Sequence, residues 1–109
     1  MKIERKEVKS RGVKLLMKDK GKEVARAYLY ILKNDLHKEP FGLMEDVFVD
    51  EKYRARGIGT LLVKEVIKEA RKSSCYKLIA TSRHERGKVH GLYIKLGFKD
   101  YGKEFRMDF

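Results

Sequence analysis

The stretch from Glu45 to Val63 joins an apolar strand pattern to an amphipathic helix pattern through a turn that contains two glycines. The turn reads RARGIGT, so Gly57 and Gly59 are separated by one residue. Glycines at this spacing allow the backbone to pass close to a ligand. The helix that follows begins with N–H groups that lack intrahelical partners, and its dipole favours an anion. The stretch therefore predicts a pyrophosphate-binding turn, to which Arg54 and Arg56 add positive charge.

The periodicity of the apolar residues predicts a single α/β domain. In the surest helix, Leu62, Val66 and Ala70 recur every four residues, and charged residues occupy the opposite side. The order is β-β-β-α-β-α-β-β, which indicates a mixed sheet flanked by helices. The predicted elements are strands over residues 11–18, 23–33 and 41–50, a helix over 57–72, a strand over 76–81, a helix around 89–96, and a hairpin over 98–101 and 104–109.

Length and composition limit the class of protein. A chain of 109 residues is expected to form one domain, here residues 1–109, with a single small core. No apolar run approaches the 18 residues of a membrane span, and the charged N-terminus is unlike a signal peptide. The single cysteine, Cys75, excludes an internal disulfide and fits a reducing, cytoplasmic environment. Its position at a strand start favours a small buried side chain over a nucleophile.

The sequence is strongly basic, with a formal net charge of +11 from 27 basic and 16 acidic residues. Three explanations compete: a polyanionic cofactor, nucleic acid, or a solvated surface rich in lysine. The chain contains no glutamine and one asparagine, and this composition is typical of proteins from hot environments, where surface charge contributes to stability. Part of the basic excess therefore needs no partner.

Two motifs carry a resemblance to a known family. The spacing Arg54-x-x-Gly57-x-Gly59 matches the [QR]-x-x-G-x-[GA] motif of the GCN5-related N-acetyltransferases, the GNAT family. Further along, LYIKLGF over residues 92–98 resembles the family's second motif, FYxKxGF. The two motifs occur in the family's order, with helix, strand and helix between them. The resemblance covers residues 41–109.

The resemblance implies the GNAT fold with one departure near the start of the chain. Family members usually carry one or two helices between their first two strands, where they wall one side of the acceptor site. Here the Asp19-Lys20-Gly21 turn follows the first clear strand directly, so these helices are expected to be missing. Two arrangements would replace the missing wall: a neighbouring subunit in a homodimer, or a site open enough to take a protein chain.

The resemblance also implies an activity. A GNAT enzyme takes acetyl-CoA as co-substrate and transfers the acetyl group directly to a primary amine of a protein, peptide or small molecule, with neither a covalent enzyme intermediate nor a metal. The histidines and Cys75 show no metal-ligand spacing. The alternative is a non-catalytic basic module, nucleic-acid-binding or regulatory, on the same scaffold. Nucleic acid is the weaker alternative, because the lysines are spread along the whole chain rather than clustered.

When the family's contacts are carried over motif by motif, the resemblance implies that mostly backbone groups bind acetyl-CoA. One strand amide, that of Val47, would bond the thioester carbonyl and support the developing oxyanion. Arg54 would contact phosphate through its side chain. The strand residues that would bind the pantetheine arm are Val47, Phe48 and Val49. The turn residues whose N–H groups would bind the pyrophosphate are Arg56, Gly57, Ile58, Gly59 and Thr60.

Two side chains are candidates for proton transfer. Glu45 lies within an apolar strand, where burial would raise its pKa and suit it to act as a general base; an acid at a solvated strand edge or paired with a lysine fits the sequence equally well. Asp46 is the alternative base. Without a bulge, Glu45 would share a strand face with Val47 and Val49. Tyr93 matches the family tyrosine that protonates the departing thiolate. Seven residues before it, where the family often has asparagine, this sequence has Arg86.

Overall fold

The computed structural model describes residues 1–109. It contains four strands, one 3-10 turn and two α-helices. Each predicted helix or strand that forms begins and ends within two residues of its predicted bounds. Residues 1–9 and 96–109 belong to no helix or strand. The elements are β1 (Ser10–Asp19), β2 (Lys22–Leu32), β3 (Phe41–Val49), a 3-10 turn (Glu51–Tyr53), α1 (Ile58–Lys72), β4 (Leu78–Ala80) and α2 (Gly87–Lys95).

The four strands form one mixed sheet in the order β1-β2-β3-β4. The first three strands run antiparallel, and β4 pairs parallel to β3. Lys20 and Gly21, both with positive φ, make the two-residue turn between β1 and β2. No helix interrupts this connection. The predicted GNAT-like sheet and the absence of the early helices are therefore confirmed.

The hydrophobic core lies between α1 and one face of the sheet. Alternate residues of β2 point to this face, including Ala27 and Leu29, which have no exposed surface. Val63 and Val66 of α1 pack against them and are buried to a similar degree. Burial of a valine or leucine side chain contributes about 1.5–3 kcal/mol each. This packing fixes α1, and with it the turn before α1, relative to the centre of the sheet.

A bulge in β3 corrects the predicted alternation of its side chains. The register between β2 and β3 shifts so that Tyr28 opposes Glu45 while Arg26 opposes Phe48. Asp46 adopts a positive φ of 51° at this point. Because of the extra residue, the side chains at the end of β3 point to the opposite faces from those predicted. Glu45 and Phe48 point away from α1, whereas Val49 and Met44 point toward α1. The expectation that Glu45 and Val49 share a face was wrong.

The predicted final hairpin over residues 98–101 and 104–109 is not formed. Phe98 packs partly against the core, but residues 99–109 are all exposed and lack strand pairing. A hairpin of such short strands is marginal unless it joins a longer sheet. The neighbouring edge belongs to β4, which has only three paired residues and offers little backbone to extend. The observed order is therefore β-β-β-α-β-α. Neither helix is both long and apolar enough to cross a lipid bilayer.

Candidate active site

The glycine turn before α1 presents unpaired backbone donors. Gly57 is the N-cap of α1 and adopts a left-handed conformation, with φ 78° and ψ 7°. No side chain caps the helix, and its first turn contains no acidic residue. The first N–H groups of α1, including those of Ile58 and Gly59, therefore lack both a capping acceptor and a competing carboxylate. This arrangement suits an anion at the positive end of the helix dipole.

The two glycines serve the turn for different reasons. A Cβ at Gly57 would meet no atom within 4 Å, so glycine is needed there for its positive φ rather than for space. A Cβ at Gly59 would lie 3.8 Å from Val49 Cγ2, which is ordinary contact. Neither glycine is therefore needed to make room for another part of the protein. Both positions open instead onto a cavity.

This cavity, about 400 Å³ in volume, lies between the glycine turn and the start of α2. Four of the five turn residues predicted to bind the pyrophosphate, all except Arg56, line this cavity, and Arg54 lines it as well. Tyr53 and Leu92 were not predicted for this site. Lys88, whose sequence position left phosphate contact and exposure both open, lines the cavity and adds a cation at the first turn of α2. The lining residues are Val49, Tyr53, Arg54, Ala55, Gly57, Ile58, Gly59, Thr60, Lys88, Val89 and Leu92.

The two arginines of the turn are held by neighbouring groups. Arg54 Nε donates a hydrogen bond of 2.9 Å to the carbonyl oxygen of Val49, and the guanidinium carbon lies 5.9 Å from the ring centre of Phe48. Arg56 stacks over the ring of Tyr53 at 5.2 Å. Because the Arg54 bond uses only Nε, its terminal N–H groups stay available to an anion.

Tyr53 ties the same turn to the hairpin between β1 and β2. Its hydroxyl donates a hydrogen bond to the Asp19 carboxylate, and this bond, with partial desolvation, raises the pKa of Tyr53. Tyr53 ends the 3-10 turn, whose start is capped by Asp50 through the N–H of Lys52. The loop that leads into the glycine turn is therefore anchored at both ends.

The parallel strands β3 and β4 separate beside this cavity. Their pairing runs from Gly42–Leu78 to Met44–Ala80 and then stops. Beyond Met44, the side of β3 that faces β4 has no strand partner, and this free edge includes Val47, Phe48 and Val49. The bulge also leaves Val47 outside the register with β2. The three residues predicted to bind an extended ligand through their backbone thus lie on an open strand edge.

Ser82 lies two residues beyond the end of β4, on the side where the two strands separate. Its hydroxyl oxygen is buried and has no hydrogen-bond partner within the protein. A buried hydroxyl without a partner costs stability, so an isolated case points to a missing ligand or water. No local sequence pattern predicts this, because only the packed structure shows that the hydroxyl is buried.

Glu45 lies on the sheet face away from α1, directly opposite Tyr28. Its pKa is raised, first by partial burial and then by the negative charges of Asp46 and Glu104, while Arg106 acts in the opposite direction. The exposed segment after α2 therefore passes near this carboxylate. The raised pKa agrees in direction with the expectation for a general base.

Tyr93 is half-buried on α2, with its ring centre 5.2 Å from that of Phe98. Burial raises the pKa of the Tyr93 hydroxyl, Arg86 lowers it, and the negative charge of Glu45 raises it again. The structure thus brings the two predicted proton-transfer residues within electrostatic range of each other. Arg86 itself is exposed at the N-cap of α2.

Comparison with known proteins identifies a family and several similar proteins. The model of the acetyltransferase (GNAT) family matches residues 3–98. Glucosamine 6-phosphate N-acetyltransferase of Trypanosoma brucei brucei is 37% identical over 67 residues, which are 62% of this chain and 44% of that protein. N-alpha-acetyltransferase 30 of Homo sapiens is 35% identical over 78 residues, which are 70% of this chain and 22% of that protein. A crystal structure of a Trypanosoma brucei acetyltransferase superimposes with a TM-score of 0.80 and 30% identity, covering 90% of this chain and 69% of that chain.

The chain spans less than half the length of the curated relatives described above. The family match nevertheless includes all four strands and both helices, and it contains both motifs on which the resemblance was based. On this evidence the chain belongs to the GNAT family of acetyltransferases.

Proposed function

We propose that this chain is an acetyl-CoA-dependent N-acetyltransferase that acts on a primary amine. One observation carries the proposal: the uncapped start of α1 opens onto a cavity at the place where β3 and β4 separate. This geometry offers a binding site for a diphosphate at one end and a free strand edge for an extended amide-bearing arm beside it. Membership of the GNAT family supports this use.

The residues present fit acetyl-CoA as co-substrate. The N–H groups of Arg56, Gly57, Ile58, Gly59 and Thr60 are proposed to bind the pyrophosphate, and the terminal N–H groups of Arg54 reach the same anion. The backbone of Val47, Phe48 and Val49 is proposed to bind the pantetheine arm, with the Val47 amide directed at the thioester carbonyl. When bound, acetyl-CoA supplies an activated acetyl group and a good leaving thiol.

Two side chains move protons in this proposal. Glu45 takes the proton from the ammonium group of the acceptor, so that the free amine attacks the thioester carbon. As the new C–N bond forms, the C–S bond breaks and Tyr93 protonates the sulfur that departs. The nitrogen releases its second proton to solvent, and the Tyr93 hydroxyl regains a proton from solvent before the next turnover. Asp46 remains the alternative base, since its carboxylate is exposed beside Glu45. The products are the N-acetylated acceptor and free coenzyme A.

The acceptor amine belongs to a protein, a peptide or a small molecule. Relatives of this chain are named for two different acceptors, glucosamine 6-phosphate and protein α-amino groups. A first screen would offer glucosamine 6-phosphate and a short peptide with a free N-terminus, and would measure the release of coenzyme A. Acetylation of either acceptor supports the proposal.

The decisive experiment is a thermal-shift titration with acetyl-CoA. Ligand at 100-fold excess over its Kd stabilises the folded state by about 2.7 kcal/mol. For a domain of this size the Tm should rise by about 10 °C or more. A Gly59→Glu variant should lose the shift, because its carboxylate would occupy the cavity and repel the pyrophosphate. Gly102→Glu, which places the same side chain in open space on the exposed C-terminal segment, is the matched control.

The titration separates two functions of this scaffold. A shift in the wild type and in Gly102→Glu, but not in Gly59→Glu, supports co-substrate binding at the glycine turn. The absence of a shift in every variant contradicts the proposal and favours the non-catalytic basic module. Steeply salt-dependent binding to DNA would then be the next measurement.

A further inference from the structure

One face of the sheet is not covered by α1, and the exposed segment with Glu104 and Arg106 passes near it at Glu45. Helix α1 packs on the face that carries Ala27 and Leu29, and the direct turn between β1 and β2 places no helix on the other face. Along β2 the side chains of Arg26, Tyr28 and Tyr30 point to this second face, and none of the three is fully buried. Tyr30 is 39% exposed and Phe48 is 40% exposed. Adjoining exposed aromatic side chains of this kind are a feature of binding surfaces.

A second cavity, about 530 Å³ in volume, lies on this open face. Its floor is aromatic: the rings of Tyr28 and Tyr30 stack with centres 6.4 Å apart and planes inclined by 10°. The cavity combines this floor with one cation and one carboxylate. The lining residues are Arg26, Tyr28, Tyr30, Asp46, Val47 and Phe48.

The cationic side of the cavity carries an excess of positive charge. Arg26 Nη1 lies 3.3 Å from Glu23 Oε2, and Lys14 Nζ lies 2.7 Å from Glu23 Oε1. Two cations therefore share one carboxylate, which leaves a net charge of +1. The guanidinium of Arg26 is also held 4.6 Å from the ring centre of Phe48. A fixed, partly exposed arginine of this kind suits a phosphate or carboxylate, which its planar group binds through two parallel hydrogen bonds.

The acidic side lies across the same floor. Glu45 stands directly opposite Tyr28, and the bulge exposes Asp46 to the cavity. Glu45 faces Tyr28, which lies two residues after Arg26 on the same face of β2, and it adjoins the cavity without lining it. The cavity thus contains one cation, Arg26, and one carboxylate, Asp46, together with an aromatic surface, and Glu45 adds a second carboxylate beside it.

We propose that this cavity holds the acceptor, and that the acceptor is a small amine that also carries an anionic group. Its ammonium lies toward Glu45 and Asp46, its anionic group toward Arg26, and its body against Tyr28 and Tyr30. This assignment rests on the proposed N-acetyltransferase function and adds the substrate class. Charge complementarity supports a ligand with one charge of each sign and disfavours a simple monoamine or polyamine, which Arg26 and Lys14 would repel.

The test uses a homologous series of aminoalkylphosphonates, from aminoethyl to aminopentyl, against the alkylamines of the same length. In the wild type, kcat/KM should favour at least one phosphonate over its alkylamine by about 10-fold. Arg26→Gln should reduce this ratio to near 1, and Arg26→Lys should keep part of it. Lys22→Gln, which removes an exposed cation from the same strand outside the cavity, should keep the ratio unchanged.

Three results would overturn the proposal: no preference for phosphonates in the wild type, a preference unaffected by Arg26→Gln, or a dimer in sedimentation that Tyr30→Glu disrupts. The last result would show that a second copy of the chain occupies this face.

If no amine is acetylated at all, the N-acetyltransferase function fails, and binding is tested separately by NMR. Phosphonate-dependent shifts of the tyrosine ring signals that Arg26→Gln abolishes would still support the anion site, and their absence in the wild type would overturn it.

Discussion

Tyr28 of β2 and Glu45 of β3 stand directly opposite each other in the antiparallel register, on the face of the sheet that α1 leaves free. This position explains how an acidic residue is tolerated in the middle of an apolar strand. The Glu45 side chain avoids the core between the sheet and α1, and it is only partly desolvated, which raises its pKa without forcing it to remain neutral. The same position makes its carboxylate accessible to an acceptor on the open face.

Substitution of Glu45 should remove the acidic limb of the pH–rate profile. A general base acts in its deprotonated form, so kcat/KM should fall as the pH falls through the raised pKa of Glu45. Glu45→Gln should reduce kcat/KM by about 100-fold to 10,000-fold and flatten that limb. The measurement is the pH dependence of coenzyme A release, with Asp46→Asn as control. A larger loss in Asp46→Asn would transfer the role of base to Asp46.

Substitution of Tyr93 should have a smaller effect on turnover. Burial raises the pKa of its hydroxyl, so the group stays protonated, as an acid must, across the neutral range and loses its proton only under alkaline conditions. Because the leaving thiolate is already stable, Tyr93→Phe should reduce kcat by less than the roughly 100-fold at which general acid–base effects commonly begin. It should also remove the alkaline limb of the profile.

The rate measurement on Tyr93→Phe needs a control for packing, since the Tyr93 ring contacts Phe98. Tyr93→Phe keeps that ring, whereas Phe98→Leu removes the aromatic partner and leaves the hydroxyl. The acid role predicts that only Tyr93→Phe loses the alkaline limb. A kcat unchanged in Tyr93→Phe would argue against Tyr93 as the proton donor.

Removal of the Ser82 hydroxyl should separate stability from binding. The hydroxyl is buried and unpartnered, so Ser82→Ala should leave the free energy of unfolding unchanged or raise it by up to about 1 kcal/mol. If acetyl-CoA supplies the missing partner, the same substitution should raise its Kd by several-fold. Thr81→Ala, which removes a neighbouring exposed hydroxyl, should change neither quantity. Calorimetric titration and urea unfolding measure the two effects, and an unchanged Kd would exclude Ser82 as a ligand.

Gly57 should be replaceable only by a residue that tolerates a positive φ. Gly57→Ala places a Cβ in open space but strains the left-handed backbone, which costs about 1–2 kcal/mol. Gly57→Asn should cost less, because asparagine adopts this conformation more readily. Comparison of their Tm values tests the conformational explanation. Equal destabilisation by both substitutions would instead point to a steric conflict at the turn.

The sequence predicted the parts of this molecule that depend on local pattern. The glycine turn and α1 were predicted because the Gly57 and Gly59 spacing and the four-residue apolar repeat are both encoded within about 16 residues. The bulge at Asp46 was not, since a single extra residue leaves no mark in an alternating strand of mixed polar and apolar residues. This omission placed Val49 on the wrong face.

The remaining errors concern features that exist only in three dimensions. The apolar alternation of Phe105, Met107 and Phe109 is a valid strand pattern, but strand formation also requires a neighbouring edge with enough backbone to pair. Lys88 lines the cavity because α2 lies near the glycine turn, and the Ser82 hydroxyl is buried because of the packing beyond β4. Periodicity within one element does not reveal which residues of another element lie beside it.

The two-residue turn at Lys20 and Gly21 has a consequence for the order in which this chain folds. Pairing of β1 with β2 can begin at the residues next to this turn and proceed outward along the strands. Each new pair then closes only a short loop, whose entropic cost is small. Such hairpins form within about 1–10 μs in isolation. A relative with helices inserted between these strands must close a longer loop before the same residues meet. The short connection should therefore make the β1–β2 hairpin an early folding nucleus, onto which β3 and α1 condense.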